Sequence, residues 1–273
     1  MSYAALLVYV EAYARPEERV RLAAELADRF KAQLIGLSAL AIPPPIVADG
    51  MILSGPTETD IKLMQAKLAE KGAWFCGLAG GESRKSEWRS ALDFPSKVLA
   101  REARSSDLVV IGQKPEWRSG YQSVDPGGAI LKMGRPTLVV PERTGTLRAD
   151  RIVLGWKDTR EARRAARDAL PFLQKATRVT IVEVCEEGEE KTALGRLDDV
   201  ARYLSRHQVE GGLKVTVRQS GSGAAQLSEI AQEEHADLLV TGAYGHSRLD
   251  EGVFGGVTRE LLSDSPICCL MSH

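Results

Sequence analysis

Glycines recur near the end of the chain at a spacing that could hold a phosphate. Gly242 and Gly245 follow a short apolar run, and Gly255 and Gly256 come directly before a helix-like segment that begins at Val257. Glycine lets backbone N–H groups come close to a phosphate, and the first turn of a helix offers unpaired donors at the positive end of its dipole. The spacing therefore predicts an anion site, although tight turns between a strand and a helix use glycine in the same way.

Side chains that could carry out catalysis do not form a recognisable set. The sequence has no Walker loop, no Gly-x-Ser-x-Gly elbow and no His-Glu-x-x-His motif. The 4 histidines are scattered and the 4 cysteines lack metal-ligand spacing, so we expect reduced, buried thiols. His246 could approach a phosphate bound beside Gly245, but a lone loop histidine more commonly faces solvent. We therefore expect a binding protein and not an enzyme.

The composition argues against some classes of binding partner. Apolar residues make up 44% of the chain and charged residues 27%, which is typical of a soluble globular protein. The net charge of −1 provides no field to attract nucleic acid or an anionic membrane. The N-terminus lacks the basic region of a signal peptide, and no segment reaches the roughly 18 apolar residues of a membrane span. We expect a cytoplasmic protein with neither nucleic acid nor membrane as a partner.

One pattern occurs twice along the chain. The matched segments, each pair offset by 130 residues, are Asp107–Gly112 with Asp237–Gly242 and Arg135–Val140 with Ser265–Leu270. A length of 273 residues also suits two domains of ordinary size. We therefore predict one domain over residues 1–147 and a second over residues 148–273.

Short apolar runs alternate with amphipathic segments in both copies. The predicted strands lie near 3–10, 32–40, 84–91, 107–112 and 136–140, then near 151–156, 178–184, 213–219, 237–242 and 267–271. The predicted helices lie near 16–30, 58–75, 94–104 and 127–133, then near 159–174, 191–207, 222–235 and 256–263. Three consecutive prolines predict an irregular loop over residues 42–56. The alternation predicts an α/β fold with parallel sheets and right-handed crossovers.

The spacing Gly242-x2-Gly245-x9-Gly255 resembles the phosphate and ribose loop of the universal stress protein family. The resemblance extends over the flanking segments 230–237 and 265–270 and implies two tandem flavodoxin-like, Rossmann-like domains. Each would be a five-stranded parallel sheet in the order 3-2-1-4-5, flanked by helices. The resemblance also implies a stress-response regulator that binds ATP or a related nucleotide, with Mg²⁺, in the second domain. Gly256 stands where the family usually has Ser or Thr.

The end of the first strand in the second copy departs from this family. With the order 3-2-1-4-5, a ligand would bind between strands one and four, where the strand order reverses. The family usually has an aspartate there that contacts the nucleoside, and this chain has Lys157, followed by Asp158 and Thr159. A lysine cannot accept the hydrogen bonds of a carboxylate, although it could reach a phosphate. This substitution argues against a standard adenine nucleotide site.

The first copy departs further from the family pattern. Pro115 stands at the position of Gly245, and Asp125 and Pro126 stand at the positions of Gly255 and Gly256. Each proline removes a backbone donor and the carboxylate repels phosphate, although Gly127-Gly128 could partly restore a loop. Glu11 matches Lys157 in position. We expect that the first copy has lost its phosphate site.

The second copy therefore holds the candidate site. The predicted nucleotide-binding residues are Lys157, Asp158, Val184, Gly242, Gly245, His246, Gly255, Gly256, Val257 and Thr258. Two functions remain open: a nucleotide-responsive regulator, or a scaffold that binds no nucleotide or takes a different small ligand. An ATP-pyrophosphatase would need a Ser-Gly-Gly loop after strand one, and the sequence has none there.

The last strand of each copy is predicted to join the two halves. Thr137–Val140 and Ile267–Met271 are apolar on both faces and lack the charges that protect a free sheet edge. Family members with one domain pair these strands across a dimer axis. We therefore predict an antiparallel contact within the chain, an internal pseudo-dimer, with Cys268 and Cys269 buried as thiols. Unidentified protein partners and further homodimerisation stay open.

Overall fold

The computed structural model describes residues 2–48, 51–80, 86–113, 120–244 and 256–273. The strands are β1 Ala5–Tyr9, β2 Gln33–Ala39, β3 Ile46–Ala48, β4 Met51–Ser54, β5 Ser86–Ala91, β6 Leu108–Gly112, β7 Thr137–Val140, β8 Arg151–Trp156, β9 Arg178–Cys185, β10 Gly212–Val217, β11 Leu238–Gly242 and β12 Cys268–Ser272. The helices are α1 Glu17–Phe30, α2 Glu58–Ala79, α3 Pro95–Glu102, α4 Pro126–Met133, α5 Arg160–Asp168, α6 Leu170–Leu173, α7 Glu190–Ser205, α8 Gly223–Glu233 and α9 Gly256–Asp264.

Ten of these strands form one continuous sheet in the order β10-β9-β8-β11-β12-β7-β6-β1-β2-β5. Taken from either edge towards the centre, each half has the order 3-2-1-4-5, which confirms the predicted fold class. Neighbouring strands within each half are parallel. At the centre β7 and β12 pair antiparallel, with Leu138 opposite Leu270 and Val139 opposite Cys269, as predicted.

Alternate residues of each strand pack into two hydrophobic cores on opposite faces of the sheet, as expected for parallel strands that are buried on both sides. On one face, Leu6, Leu154 and their neighbours pack under α1, α2, α5, α6 and α7. On the other, Leu7, Val153 and their neighbours pack under α3, α4, α8 and α9. We call these the α7 face and the α9 face. Among the residues described, no helix is long and apolar enough to cross a membrane.

Two predicted elements differ from the structure. Residues 42–56 are not an irregular loop throughout, because β3 and β4 pair antiparallel within this segment. The prolines flank the hairpin, and the β-prone residues between them are left able to pair. The helix predicted over residues 159–174 is split into α5 and α6, with Pro171 near the start of α6. Proline has no N–H to continue the helical hydrogen bonds from α5.

The thiols at the junction between the halves are buried as predicted. Cys268 and Cys269 are each 1% exposed and form no disulfide. Burial raises the pKa of both thiols to about 12. Cys185 is also buried, but Cys76 is exposed on α2, so the expectation of burial is wrong for that residue. Cys76 lies on the outer side of a helix that buries only one stripe.

Candidate functional site

The candidate site lies where β8 and β11 run side by side to the same edge of the sheet. Thr241 is paired with Gly155, so Lys157 and Ala243 leave neighbouring strand ends. The chain returns to this part of the sheet as α9, which begins at Gly256. We call the space bounded by the ends of β8 and β11 and the start of α9 the switch crevice. Its position is that expected for a ligand site in an open parallel sheet.

Gly242 has a packing role that does not depend on a ligand. A Cβ placed on Gly242 would lie 2.6 Å from the Ala162 nitrogen and 2.9 Å from the Glu161 Cβ. Only glycine therefore lets the start of α5 come this close to the end of β11. The close approach of α5 accounts for this glycine without a phosphate.

A buried carboxylate lies against the same glycine. Glu161 is 4% exposed. Burial acts to raise the pKa of this carboxyl, but hydrogen bonds from the Arg160 side chain, the Glu161 backbone and the Thr159 side chain outweigh burial and lower the pKa. Glu161 is therefore ionised at neutral pH, and its charge is balanced by Arg160, with which it forms an ion pair.

The residues after Gly242 are held by internal hydrogen bonds. The Ala243 N–H donates to the Ser272 carbonyl at 2.8 Å, and the Tyr244 N–H donates to the Thr258 hydroxyl at 3.1 Å. Tyr244 adopts a left-handed backbone conformation with φ of 60°. The Thr258 hydroxyl, predicted as a site group, is thus an acceptor for the loop, and its residue is 5% exposed.

The start of α9 is the part of the crevice that could offer donors to an anion. The first N–H groups of a helix have no partner within it, and the first turn of α9 carries no acidic residue. A Cβ placed on Gly256 would meet no described atom within 4 Å. Val257 is partly buried and packs against the hydrophobic core on the α9 face. The predicted residues Gly245, His246 and Gly255 lie outside the described residues.

The end of β8 contributes a positive charge and a helix cap. Lys157 is exposed, and its carbonyl accepts a hydrogen bond from the Thr159 N–H at 2.6 Å. The Thr159 side chain caps α5 by accepting from the Ala162 N–H at 3.3 Å. Asp158 pairs with Arg163, and both side chains are more than half exposed. Its carboxylate is therefore committed to α5 and does not replace the aspartate missing at Lys157.

Val184 and Arg218 extend the crevice towards β9 and β10. Val184 packs on the α9 face, as Val257 does. A Cβ on Gly223, the first residue of α8, would lie 3.1 Å from the Val257 side chain and 3.6 Å from the Arg218 guanidinium. The Arg218 guanidinium thus lies beside the start of α8, which also contacts Val257 of α9. It pairs with Glu186 at 2.7 Å. Arg218 was not among the residues predicted from the sequence. Its position directly after the third strand of the second half could have indicated that it lies near the crevice.

The corresponding crevice of the first half, between β1 and β6, is filled by an ion pair. Arg19 pairs with Glu11, and their side chains are 9% and 19% exposed. A Cβ on Gly112 would lie 1.9 Å from an Arg19 guanidinium nitrogen, so this glycine makes room for the arginine. The pair occupies the position that a ligand would take.

The start of α4 is also occupied by the protein's own groups. The Asp125 side chain caps the helix by accepting from the Gly128 N–H at 3.1 Å, and Pro126 is the first helical residue. Gly127 and Gly128 lie inside α4 and do not restore a loop. A Cβ on Gly127 would lie 2.1 Å from the Tyr244 hydroxyl, which reaches across from the second half. Burial, and then the charge of Asp125, raise the pKa of that hydroxyl. Pro115 lies outside the described residues.

The comparisons with known proteins agree on one family for the second half and one fold for the chain. Residues 148–273 match the model of the universal stress protein family. A curated universal stress protein from Synechocystis is 24% identical over 170 residues, which cover 59% of this chain and 56% of that relative. The chain therefore spans little more than half the length of the curated relative that it matches.

Solved structures match nearly the whole chain. A universal stress protein from Archaeoglobus fulgidus has a TM-score of 0.71 at 16% identity, with 98% of this chain and 95% of that chain covered. A functionally unknown protein from Pseudomonas aeruginosa has a TM-score of 0.59 at 13% identity, with 99% and 92% covered. At these identities the likeness concerns the fold.

Proposed function

We propose that the chain is a tandem pair of universal stress protein domains, 1–147 and 148–273, of which only the second binds ATP or a related nucleotide. The observation that carries this proposal is the contrast between two helix starts. Neither helix has an acidic residue in its first turn, but the residue that precedes α4 is the capping Asp125, whereas the sequence has Gly255 before α9. A helix start of the second kind favours phosphate oxygens. Lys157, at the end of β8, adds positive charge to the crevice, whereas the charge of Arg218 is balanced by Glu186.

The bound nucleotide would be held mainly through its phosphates. The N–H groups of Gly256 and Val257 are the proposed donors, with Mg²⁺ as the accompanying cation. The described residues contain no cluster of His, Cys, Asp or Glu suited to a metal ion, so Mg²⁺ would bind through the nucleotide's own phosphates. We propose a regulatory role in the stress response, without catalysis, exerted through protein partners.

A second function is favoured by a separate observation. Lys157 replaces the expected nucleoside acceptor, Asp158 is committed to Arg163, and Gly242 is explained by packing. These three facts fit a protein that binds no nucleotide or takes a smaller anion. The two functions differ in whether the full chain binds ATP.

Calorimetry of the full chain with Mg²⁺ and ATP tests the proposal. Gly256→Asp places a carboxylate at the first residue of α9, one position after the one that corresponds to Asp125 in the first half. Because like charges a few ångströms apart near a protein surface repel by several kcal/mol, affinity should fall by at least about 10-fold. The matched control Gly256→Asn has nearly the same shape without the charge and should bind as the unmodified protein does.

Two results would overturn the proposal. One is the absence of ATP binding by the unmodified, folded chain, which would favour the alternative. The other is equal weakening by both substitutions, because this would mean that the side-chain volume and not the charge matters. Measurable ATP hydrolysis by the purified protein would contradict the proposed lack of catalysis.

A further inference from the structure

A second cavity lies on the α7 face, opposite to the face on which Val184 and Val257 pack. It has a volume of about 480 Å³ and is bounded by α5, α7 and the end of β8. Small-molecule sites in proteins commonly have volumes of about 300–1,000 Å³. The cavity is therefore of a size to hold a small organic ligand, and it belongs to neither crevice described above.

The inner part of the cavity is apolar and aromatic. Ala166 and Val200 line it and are 1% and 6% exposed. The rings of Trp156 and Tyr203 line it as well, and both residues are partly buried. The indole N–H of Trp156 is buried and has no hydrogen-bond partner among the described residues. An unpaired buried donor is unfavourable, and a ligand with an acceptor could relieve it after a small ring movement.

Three arginines line the same cavity, and two of them are already neutralised. Arg163 pairs with Asp158, and Arg196 makes a bidentate contact with Glu183, whose carboxylate is buried. The Arg167 side chain makes no hydrogen bond or ion pair with any residue that the structure describes.

The carboxylates nearest to Arg167 are themselves engaged. Asp168 accepts a hydrogen bond from the Ser272 hydroxyl at 2.8 Å. Asp199, which lines the rim, pairs with Arg202 at 2.8 Å. Arg167 is thus the arginine of this cavity whose guanidinium has no ion-pair contact among the described residues, although the charge of Asp168 acts on it, and it lines the cavity together with two aromatic rings.

We propose that this cavity binds a small planar aromatic carboxylic acid. The ring would lie against Trp156 and Tyr203, because aromatic rings stack favourably with each other and with guanidinium planes. The carboxylate would bind Arg167, whose fork of N–H donors matches a carboxylate in two parallel hydrogen bonds. A neutral ring would leave Arg167 unpaired, and inorganic phosphate would leave the aromatic surface unused.

Nuclear magnetic resonance of the ¹⁵N-labelled full chain tests this site with benzoate as the probe. The indole N–H signal of Trp156 is identified as the one that disappears in Trp156→Phe. Benzoate should shift this signal in a saturable way, and benzamide, which has the same shape without the charge, should not. Inorganic phosphate at the same concentration should also leave the signal unchanged.

Arg167→Gln should weaken benzoate binding by about 10-fold or more, since a hydrogen bond to a charged group is lost. Because Arg167 is exposed, the variant should fold normally. Arg206→Gln is the matched control: it removes an exposed guanidinium just beyond α7 and should leave the affinity unchanged.

Three outcomes would contradict the proposed site. One is that the Trp156 signal stays unchanged when benzoate is added, and another is that benzamide shifts it as much as benzoate does. The third outcome is that the Arg167→Gln variant binds benzoate with the same affinity as the unmodified protein. Saturating Mg²⁺ and ATP should not displace benzoate, because the switch crevice opens towards the other face; displacement would show a single shared site. A protein that binds benzoate but no ATP would uphold this inference and reject only the proposed nucleotide function.

Discussion

The two halves share a strand order, but different groups pack against the ends of their central strands. In the first half, the third residue of α1 is Arg19, which lies over Gly112 and pairs with Glu11. In the second half, the third residue of α5 is Ala162, and the backbone of α5 itself packs against Gly242. The glycine that ends the fourth strand is thus covered by a side chain in the first half and by helix backbone in the second half.

The ion pairs of the two crevices differ in burial as well as in place. Glu11 and Arg19 are 19% and 9% exposed, whereas Asp158 and Arg163 are 56% and 58% exposed. A buried pair costs much desolvation and becomes strongly destabilising when one partner is lost, whereas an exposed pair contributes little. The Glu11–Arg19 pair should therefore contribute more to the stability of the fold than the Asp158–Arg163 pair does.

Arg19→Met should have the largest effect on stability. It leaves the partly buried Glu11 without its ion-pair partner, so we expect a loss of up to about 3–5 kcal/mol in the free energy of unfolding, measured by urea denaturation. Arg21→Met is the control, because the Arg21–Glu17 pair is exposed and its loss should change stability by about 0.5 kcal/mol or less. Equal effects of the two substitutions would show that the first-half crevice is not held by its ion pair.

Lys157→Asp tests the same comparison through affinity. If a carboxylate at the end of β8 accepts hydrogen bonds from the nucleoside, ATP should bind roughly 10- to 150-fold more tightly, which corresponds to about 1.5–3 kcal/mol. Lys157→Gln removes the positive charge without supplying a carboxylate and serves as the control in calorimetry. Unchanged or weaker binding by Lys157→Asp would reject this role for the position.

Gly242→Ala should destabilise the second half without any ligand. The added methyl group would lie 2.6 Å from the Ala162 nitrogen, and helix backbone cannot yield as a flexible side chain can. We expect a loss of about 1–3 kcal/mol, typical of overpacking, in urea denaturation. At Gly256 no described atom lies within 4 Å, so Gly256→Ala should change stability by about 0.5 kcal/mol or less. A loss at Gly256 as large as at Gly242 would contradict this assignment.

The sequence predicts the backbone of this protein better than its side-chain contacts. The strands themselves follow from the apolar runs and the matched segments, whereas their order is implied by the family resemblance. The β7–β12 contact follows from that resemblance together with the need to cover unprotected edges. The β3–β4 hairpin was missed because the flanking prolines concealed two short β-prone segments. A break after α5 was missed although Pro171 is visible in the sequence.

In the candidate site, too, side-chain contacts are harder to predict from the sequence than the course of the backbone. Asp125 and Pro126 predict that the first half has lost its phosphate site, and the structure places both at the start of α4, where Asp125 caps the helix. The Glu11–Arg19 pair could not be predicted, because its burial depends on how α1 lies across Gly112. The hydrogen bond from Tyr244 to Thr258 likewise depends on a loop conformation that no local pattern determines.

Asp168→Asn should have the smallest effect, at the boundary where the two halves meet. Asp168 ends α5 and is hydrogen-bonded to Ser272, while its carbonyl accepts from the Tyr3 hydroxyl of the first half at 2.6 Å. Burial raises the pKa of this carboxyl, although the Ser272 hydrogen bond and nearby arginines oppose the shift. A raised pKa means that folding favours the protonated form, so stability falls as pH rises from the ordinary value of 3.8 through the folded pKa.

Asparagine keeps an oxygen for the Ser272 hydroxyl and removes the charge. At neutral pH the variant should therefore unfold at a higher urea concentration than the unmodified protein, and the difference should shrink as the pH falls below 3.8. Asp199→Asn, at an exposed carboxylate paired with Arg202, should show no such gain at neutral pH. A gain for Asp168→Asn that is equal at all pH values would mean that packing and not charge is responsible. Lower stability at neutral pH would show that the carboxylate's attraction to the arginines outweighs its desolvation.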